Sequence, residues 1–290
     1  MAKQQSSDTL ELPLKARASG WALPSSLASR FDVASVVMII VSLITAYLVL
    51  PPLYSVIQTS LFTTTLTGEI DQFTLKYYQD LLRELQVIAP FLNTFYFSIG
   101  SAVCATLLGG SIAWIVVRTD SPLRALGYFT AFASFGTPFI LYTIGWLLLL
   151  GKAGPINYWL KTLLDQAGPV INVYSMFGMI LIESLLWSPF VFLMLAAAFR
   201  SMDPSLEEAS AACGARVWQT MRRVSLRLML PAFFSVMLLI FIRSFESFEI
   251  PALVGLPGDV RVLTTSIFLD AQKLPPRYGS AGAFSVLLMI

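Results

Sequence analysis

Long apolar runs alternate with short polar stretches along this chain, and five of the runs are long enough to cross a membrane. They lie at 33–57, 91–117, 125–150, 176–199 and 232–254, and a spanning helix needs about 20 mainly apolar residues. The first three carry no charge, the fourth carries Glu183, and the fifth carries Arg243, Glu246 and Glu249. A sixth apolar run starts near Ala281 and is cut off at Ile290 before it could span. The sequence is therefore expected to stop inside a membrane helix and to be part of a longer chain. The first run begins at residue 33, exceeds the length of a secretory core and has no small-residue cleavage site after it, so it reads as a retained span. Residues 1–30 are polar, hold Pro13, Pro24 and several serines, and read as a loose tail.

Composition supports this pattern. Hydrophobic residues make up 56% of the chain and charged residues 12%, about half the roughly 25% charge of a soluble domain. Nineteen basic against seventeen acidic residues leave +2, too little to suggest a nucleic-acid partner. The chain has no histidine, which excludes imidazole catalysis and histidine-ligated metal, and no metal or other cofactor is expected. Cys104 and Cys213 form no CxxC spacing and are not expected to pair. Lys and Arg cluster in residues 1–30, in the turn at 118–124 and in the loop at 200–231. Short loops rich in these residues face the cytoplasm, so the N-terminus is expected inside. The loops at 58–90 and 255–280 then fall outside.

The loop 200–231 carries the most information. Asp203 before Pro204 is a helix start, with a carboxylate to cap free amides and a proline tolerated in the first turn. Glu207 and Glu208 follow where a helix dipole favours negative charge. Gly214 suits the left-handed residue that ends a helix. A second helix is expected from Ala215 towards Leu230, with Val217, Met221, Val224 and Leu228 as one apolar stripe and Arg216, Arg222, Arg223 and Arg227 mostly off it. The expected unit is a short helix, a glycine turn and an amphipathic helix lying at the membrane surface.

Glu208-Ala209-Ser210, then Gly214, then Val224-Ser225-Leu226 resembles the EAA loop of ABC importer permeases. In that family Glu-Ala-Ala is followed by three residues, Gly, nine residues, Ile, any residue and Leu-Pro. Ser210 replaces the second alanine, and Arg227 stands at the usual proline, with Pro231 the next proline along. The resemblance spans roughly residues 90–290. Phe245-Glu246-Ser247-Phe248-Glu249-Ile250-Pro251 and Val262-Leu263-Thr264-Thr265 look like the ferric-iron branch, whose members commonly join two permease units in one chain.

The resemblance implies an all-α polytopic membrane bundle of the type I ABC importer kind, with five full spans and the start of a sixth. Residues 1–30 would be a cytoplasmic tail and 31–290 the permease domain, in a bacterial inner membrane. It implies that the 200–231 loop sits in a cleft of a separate cytoplasmic ATPase subunit. Glu208 would be the charged contact, Gly214 the turn, and Glu207, Ala209, Val224 and Leu226 the rest of the coupling element. The chain has no Gly-x4-Gly-Lys-Ser/Thr, so ATP is expected to be hydrolysed by that partner. A periplasmic solute-binding protein would deliver the solute, and a second permease half, fused or separate, would complete the pathway. Ferric iron leads as substrate, with polyamine, thiamine, sulfate and phosphonate as alternatives.

Charges inside spans are costly and therefore invite a role. Arg243 and Glu246 stand three apart, near enough to pair on a helix, and Glu249 follows at the same spacing. They line a translocation path or form a structural ion pair. Glu183 is a partner for Arg243, a packing residue or a path residue. Pro138, Pro189 and Pro251 mark kinks or ordinary family architecture, and Gly109, Gly110 and Gly145 are small-residue helix contacts. An intramembrane enzyme lacks a nucleophile–base set in this sequence. An ion-driven secondary transporter would have no need of the docking loop.

Overall fold

The computed structural model describes residues 33–64, 70–83, 87–122, 124–165 and 168–289. The tail at 1–30, with its part in the orientation argument, lies outside the described residues. Contacts divide the chain into Met1–Pro52 and Leu53–Ile290. The described part of the first unit is the opening of α1 (Val33–Leu61), an uncharged helix interrupted in sequence, but not in structure, by Pro51 and Pro52.

In the second unit a hairpin follows, β1 (Phe62–Thr64) against β2 (Ile70–Phe73), and then the short α2 (Lys76–Arg83). The centre is a pair of long helices, α3 (Ile88–Arg118) and α7 (Met176–Ser201). Small residues make the pairing possible: the buried face of α3 includes Ser98, Ser101, Ala102, Ala105, Gly109 and Ala113. A Cβ placed on Gly109 would lie 2.6 Å from the Ser188 carbonyl oxygen and 2.8 Å from the Phe192 amide nitrogen, so two backbones meet there. Gly110 packs against Phe233 and Leu195, as expected of a contact glycine. Gly145 does not, since nothing described lies within 4 Å of its added Cβ.

The expected single span 125–150 is broken. Helix α4 (Arg124–Phe135) stops and α5 (Phe139–Leu150) starts anew, with Pro138 as its cap. Proline disfavours helical backbone at the residue before it and cannot donate, so the ladder ends at the Gly136–Thr137 turn. The apolar run then continues through α6 (Pro155–Leu164), in what the sequence presents as a loop. Proline at the first helical position was the legible signal for α6.

Buried Asn157 secures this turn, donating to Leu150 O (2.7 Å) and Ile171 O (2.9 Å) and accepting from the Ile171 amide (2.8 Å). Asn157→Ala leaves buried backbone groups unpaired, at a cost of about 1–3 kcal/mol. A lowered unfolding midpoint in detergent is the expected result.

After α7 comes α8 (Ser205–Ala212), then α9 (Val217–Thr220), a π-helical turn (Met221–Ser225) and α10 (Leu226–Phe245). The last three form one apolar helix over Val217–Phe245 that passes Pro231 without a break. This corrects two expectations. The helix after Gly214 is not a separate surface helix, and the fifth span ends at Phe245 rather than at 254. Pro231 lies inside the regular helix α10, as membrane helices allow where neighbouring groups re-satisfy the freed backbone.

Beyond Phe245 the chain makes a π-helical turn (Pro251–Gly255), a 3-10 turn (Leu256–Gly258) and α11 (Leu263–Gln272), the two helical pieces bent by 81°. It then enters α12 (Tyr278–Met289). Among the described residues five helices are long and apolar enough to cross a membrane, or six if the bent pair counts as one.

Candidate functional site

The first candidate is the segment between α7 and α10. The Asp203 carboxylate accepts from the Ser205 amide (2.9 Å) and starts α8. That bond holds the exposed Asp203 carboxyl below its usual range, because it favours the charged form. The helix ends at Gly214 with φ +81°, the left-handed conformation expected there. The Gln219 side chain accepts from the Arg216 amide (3.0 Å) and starts the next helix. The two arms of the turn are joined by Ser210 Oγ and Thr220 Oγ1, 2.9 Å apart.

The two carboxylates diverge. Glu208 is exposed, as are Ala209 and Gly214. Glu207 turns inward: Ser225 Oγ donates to its Oε1 (2.5 Å), and Arg118 Nη1 lies 3.4 Å from its Oε2. Arg118, the last residue of α3, also donates through Nη2 to Phe199 O (2.7 Å) and Met202 O (3.1 Å) at the end of α7. Arg200 donates to Tyr128 OH (2.7 Å), tying α7 to α4. The expected apolar stripe is only partly realised. Met221 and Val224 are half-buried, but Val217 and Leu228 are exposed and the buried positions are Thr220, Ser225 and Met229. The π-helical turn adds a residue to the helical turn and rotates the face. Leu226 is exposed as well.

The second candidate is a cavity of about 180 Å3 lined by Phe139, Glu183, Trp187, Arg243, Glu246 and Glu249, among others. It gathers all four charges that the sequence placed inside the apolar runs. Glu183 is buried and bonded through both oxygens, from Trp187 Nε1 (3.0 Å) and Ser247 Oγ (3.1 Å). Glu183 is therefore not the ion-pair partner of Arg243. Arg243 lies 5.6 Å from the Trp187 ring centre and 4.0 Å from Glu246. Both members of that pair are more than half uncovered by the chain itself. Glu249 reaches the cavity from beyond the end of α10, not from the same helix face as Arg243.

Three residues here are not marked by the sequence pattern: Arg118 stands in it as a turn charge, Ser225 at the variable position of the EAA loop, and Ser247 only as part of the stretch resembling the ferric-iron branch. Each is joined to a carboxylate at least 18 positions away in sequence, so no local pattern could mark it.

The start of α3, the segment before α11, α11 itself and α12 pack on one another. Asn93 Nδ2 donates to Arg261 O (2.9 Å), the Leu263 amide donates to Thr94 Oγ1 (2.9 Å), and Ser280 Oγ donates to Asp270 (2.8 Å). A cleft of about 680 Å3 opens among Asn93, Arg261, Asp270 and Lys273.

A protein of Haemophilus influenzae described as a ferric transport system permease, FbpB 1, is 26% identical over 261 residues, covering 90% of this chain and 40% of that protein. The sulfate transport system permease protein CysW of Escherichia coli is 28% identical over 184 residues, covering 63% of this chain and 61% of that protein. The chain thus spans less than two thirds of the length of either relative. The fold matches the structure of a bacterial ABC transporter involved in the import of alginate, with a TM-score of 0.72 and 19% identity over 88% of this chain and 90% of that one. The family of binding-protein-dependent transport system inner membrane components matches residues 105–290, more than half of the chain, and the protein belongs to that family.

Proposed function

We propose that the protein is the membrane-spanning subunit of an ATP-driven importer fed by a solute-binding protein, with residues 200–231, from the end of α7 through α8 into the first turns of the Val217–Phe245 helix, as its coupling element. One observation carries this reading. A short helix closed by a left-handed glycine presents the exposed Glu208 while its neighbour Glu207 anchors the same helix to the bundle. In this reading α8 enters a cleft of a separate cytoplasmic ATP-binding subunit, and that subunit hydrolyses ATP. The tail at 1–30 lies on the same side, in a bacterial cytoplasmic membrane. The hairpin, α2 and α11 face the periplasm and receive the solute-binding protein. A second permease half, fused or separate, completes the path between the two sides.

Ferric iron is the lead cargo. The cavity sets three carboxyl groups against one guanidinium, a surplus that suits a cation, and a ferric permease is among the relatives. With no histidine in the chain, transient passage fits better than tight retention of bare iron. Sulfate is the second reading, favoured by the exposed Arg243 head group and the sulfate permease relative.

The test is co-purification of the full-length protein with its ATPase subunit, comparing wild type with Glu208→Ala and Gly214→Val. Valine is strained at φ +81°. Both variants are expected to insert in the membrane and to lose the ATPase subunit or at least tenfold in transport. Full retention of both properties would overturn the coupling assignment. Uptake of radioactive ferric iron against radioactive sulfate by energised vesicles decides the cargo.

A further inference from the structure

Adjacent residues on a helix point about 100° apart, so Glu207 and Glu208 leave α8 in different directions. The outward carboxylate is exposed and has no partner among the described residues, and the inward one is engaged in a chain of polar contacts crossing four elements. Arg118 at the end of α3 caps the last carbonyls of α7 with one nitrogen and meets Glu207 of α8 with another. Glu207 passes the contact on to Ser225, in the π-helical turn that opens α10.

The chemistry suits a firm connection. A planar guanidinium engages carbonyls and a carboxylate together from fixed positions, which an ammonium cannot copy. A cation at the end of α7 also meets the negative end of that helix dipole. Arg118 has only 12% of its side chain exposed, and its buried Nε has no partner among the described residues. Its charge therefore depends on Glu207 and the two carbonyls.

We propose that Arg118, Glu207 and Ser225 form the linkage that carries a displacement of α8 into α3, α7 and α10. They are positioning residues that act through the bundle and touch neither ATP nor cargo. The inference rests on the coupling-loop reading above.

The experiment uses the full chain in complex with its ATPase subunit, with Cys104→Ser, Cys213→Ser and Glu249→Cys giving one reporter thiol at the cavity. The labelling rate of that thiol by a charged thiosulfonate is compared in nucleotide-free and ATP-vanadate-trapped complexes. With the linkage intact the rate is expected to change at least threefold on trapping. Adding Glu207→Gln, which keeps the side-chain shape, or Arg118→Lys, which keeps the charge, is expected to bring that ratio close to one. The ATPase subunit should still co-purify in both cases. The Arg118→Ala, Glu207→Ala double variant should be no worse than the poorer single one, as for two members of one chain.

A preserved threefold ratio in both conservative variants overturns the linkage and leaves the coupling loop standing. A ratio of one with the linkage intact, or failure of that complex to hold the ATPase subunit, overturns the coupling-loop reading and the linkage with it.

Discussion

Gly109→Val is expected to leave little folded protein in detergent, because it drives a branched side chain into a close backbone approach between α3 and α7. The added Cβ alone would sit 2.6 Å from Ser188 O, 2.7 Å from Val191 Cβ and 2.8 Å from the Phe192 nitrogen. Two of these are backbone atoms of α7, which cannot swing aside as a side-chain tip would. Overpacking in a tight core costs about 1–3 kcal/mol even where side chains can adjust, and this site has no such outlet. The cost therefore exceeds that range. Gly145→Ala is the control. It lies in α5 with open space around its Cβ, and helix propensity favours alanine by roughly 1 kcal/mol. Thermal unfolding followed by size-exclusion chromatography should show collapse for the first variant and an unchanged or higher midpoint for the second. Equal behaviour of the two would mean that α3 and α7 do not pack as described.

Glu183 should give the second largest effect, and its two substitutions should separate structure from transport. Glu183→Leu strands the Trp187 Nε1 and Ser247 Oγ donors in a buried site, and each unsatisfied group costs about 1–3 kcal/mol. Glu183→Gln keeps an oxygen for Trp187, which can only donate, and turns its amide towards Ser247, whose hydroxyl can accept. The leucine variant should therefore lose thermal stability while the glutamine variant holds it. If the cavity passes a cation, the glutamine variant should still lose at least tenfold in uptake of radioactive ferric iron. Full uptake by the glutamine variant would remove Glu183 from the path and leave it as a structural tie.

The spans were legible because lipid leaves the backbone no choice: an apolar run of sufficient length must be helical. Local chemistry also marked Asp203 and Gly214, whose roles in starting and ending α8 depend on neighbours within a few residues. The break at Pro138 carried a visible signal, yet apolar residues on both sides masked it. Pro231 carried the same signal and the helix ran through it, so proline alone did not decide. The inward turn of Glu207 was not legible, since it depends on Arg118, 89 positions earlier on α3. The cavity was legible only as a set of costly charges. That Glu183 meets Ser247 and not Arg243 follows from α10 stopping at Phe245, which tertiary packing sets.

The unbroken Val217–Phe245 helix has a consequence of scale. At about 1.5 Å per residue its 29 residues make a rod of about 43 Å, with the glycine turn at one end and Arg243 at the other. Tilting such a rod by about 10° around one end sweeps the opposite end through an arc of about 8 Å, taking the same rise. A cube with the volume of the charged cavity has an edge of only about 6 Å, working from the roughly 180 Å3 enclosed. A modest angular change at the loop is thus geometrically large enough to open or shut the space between Trp187 and Glu249, with no need for the helix to bend or unwind.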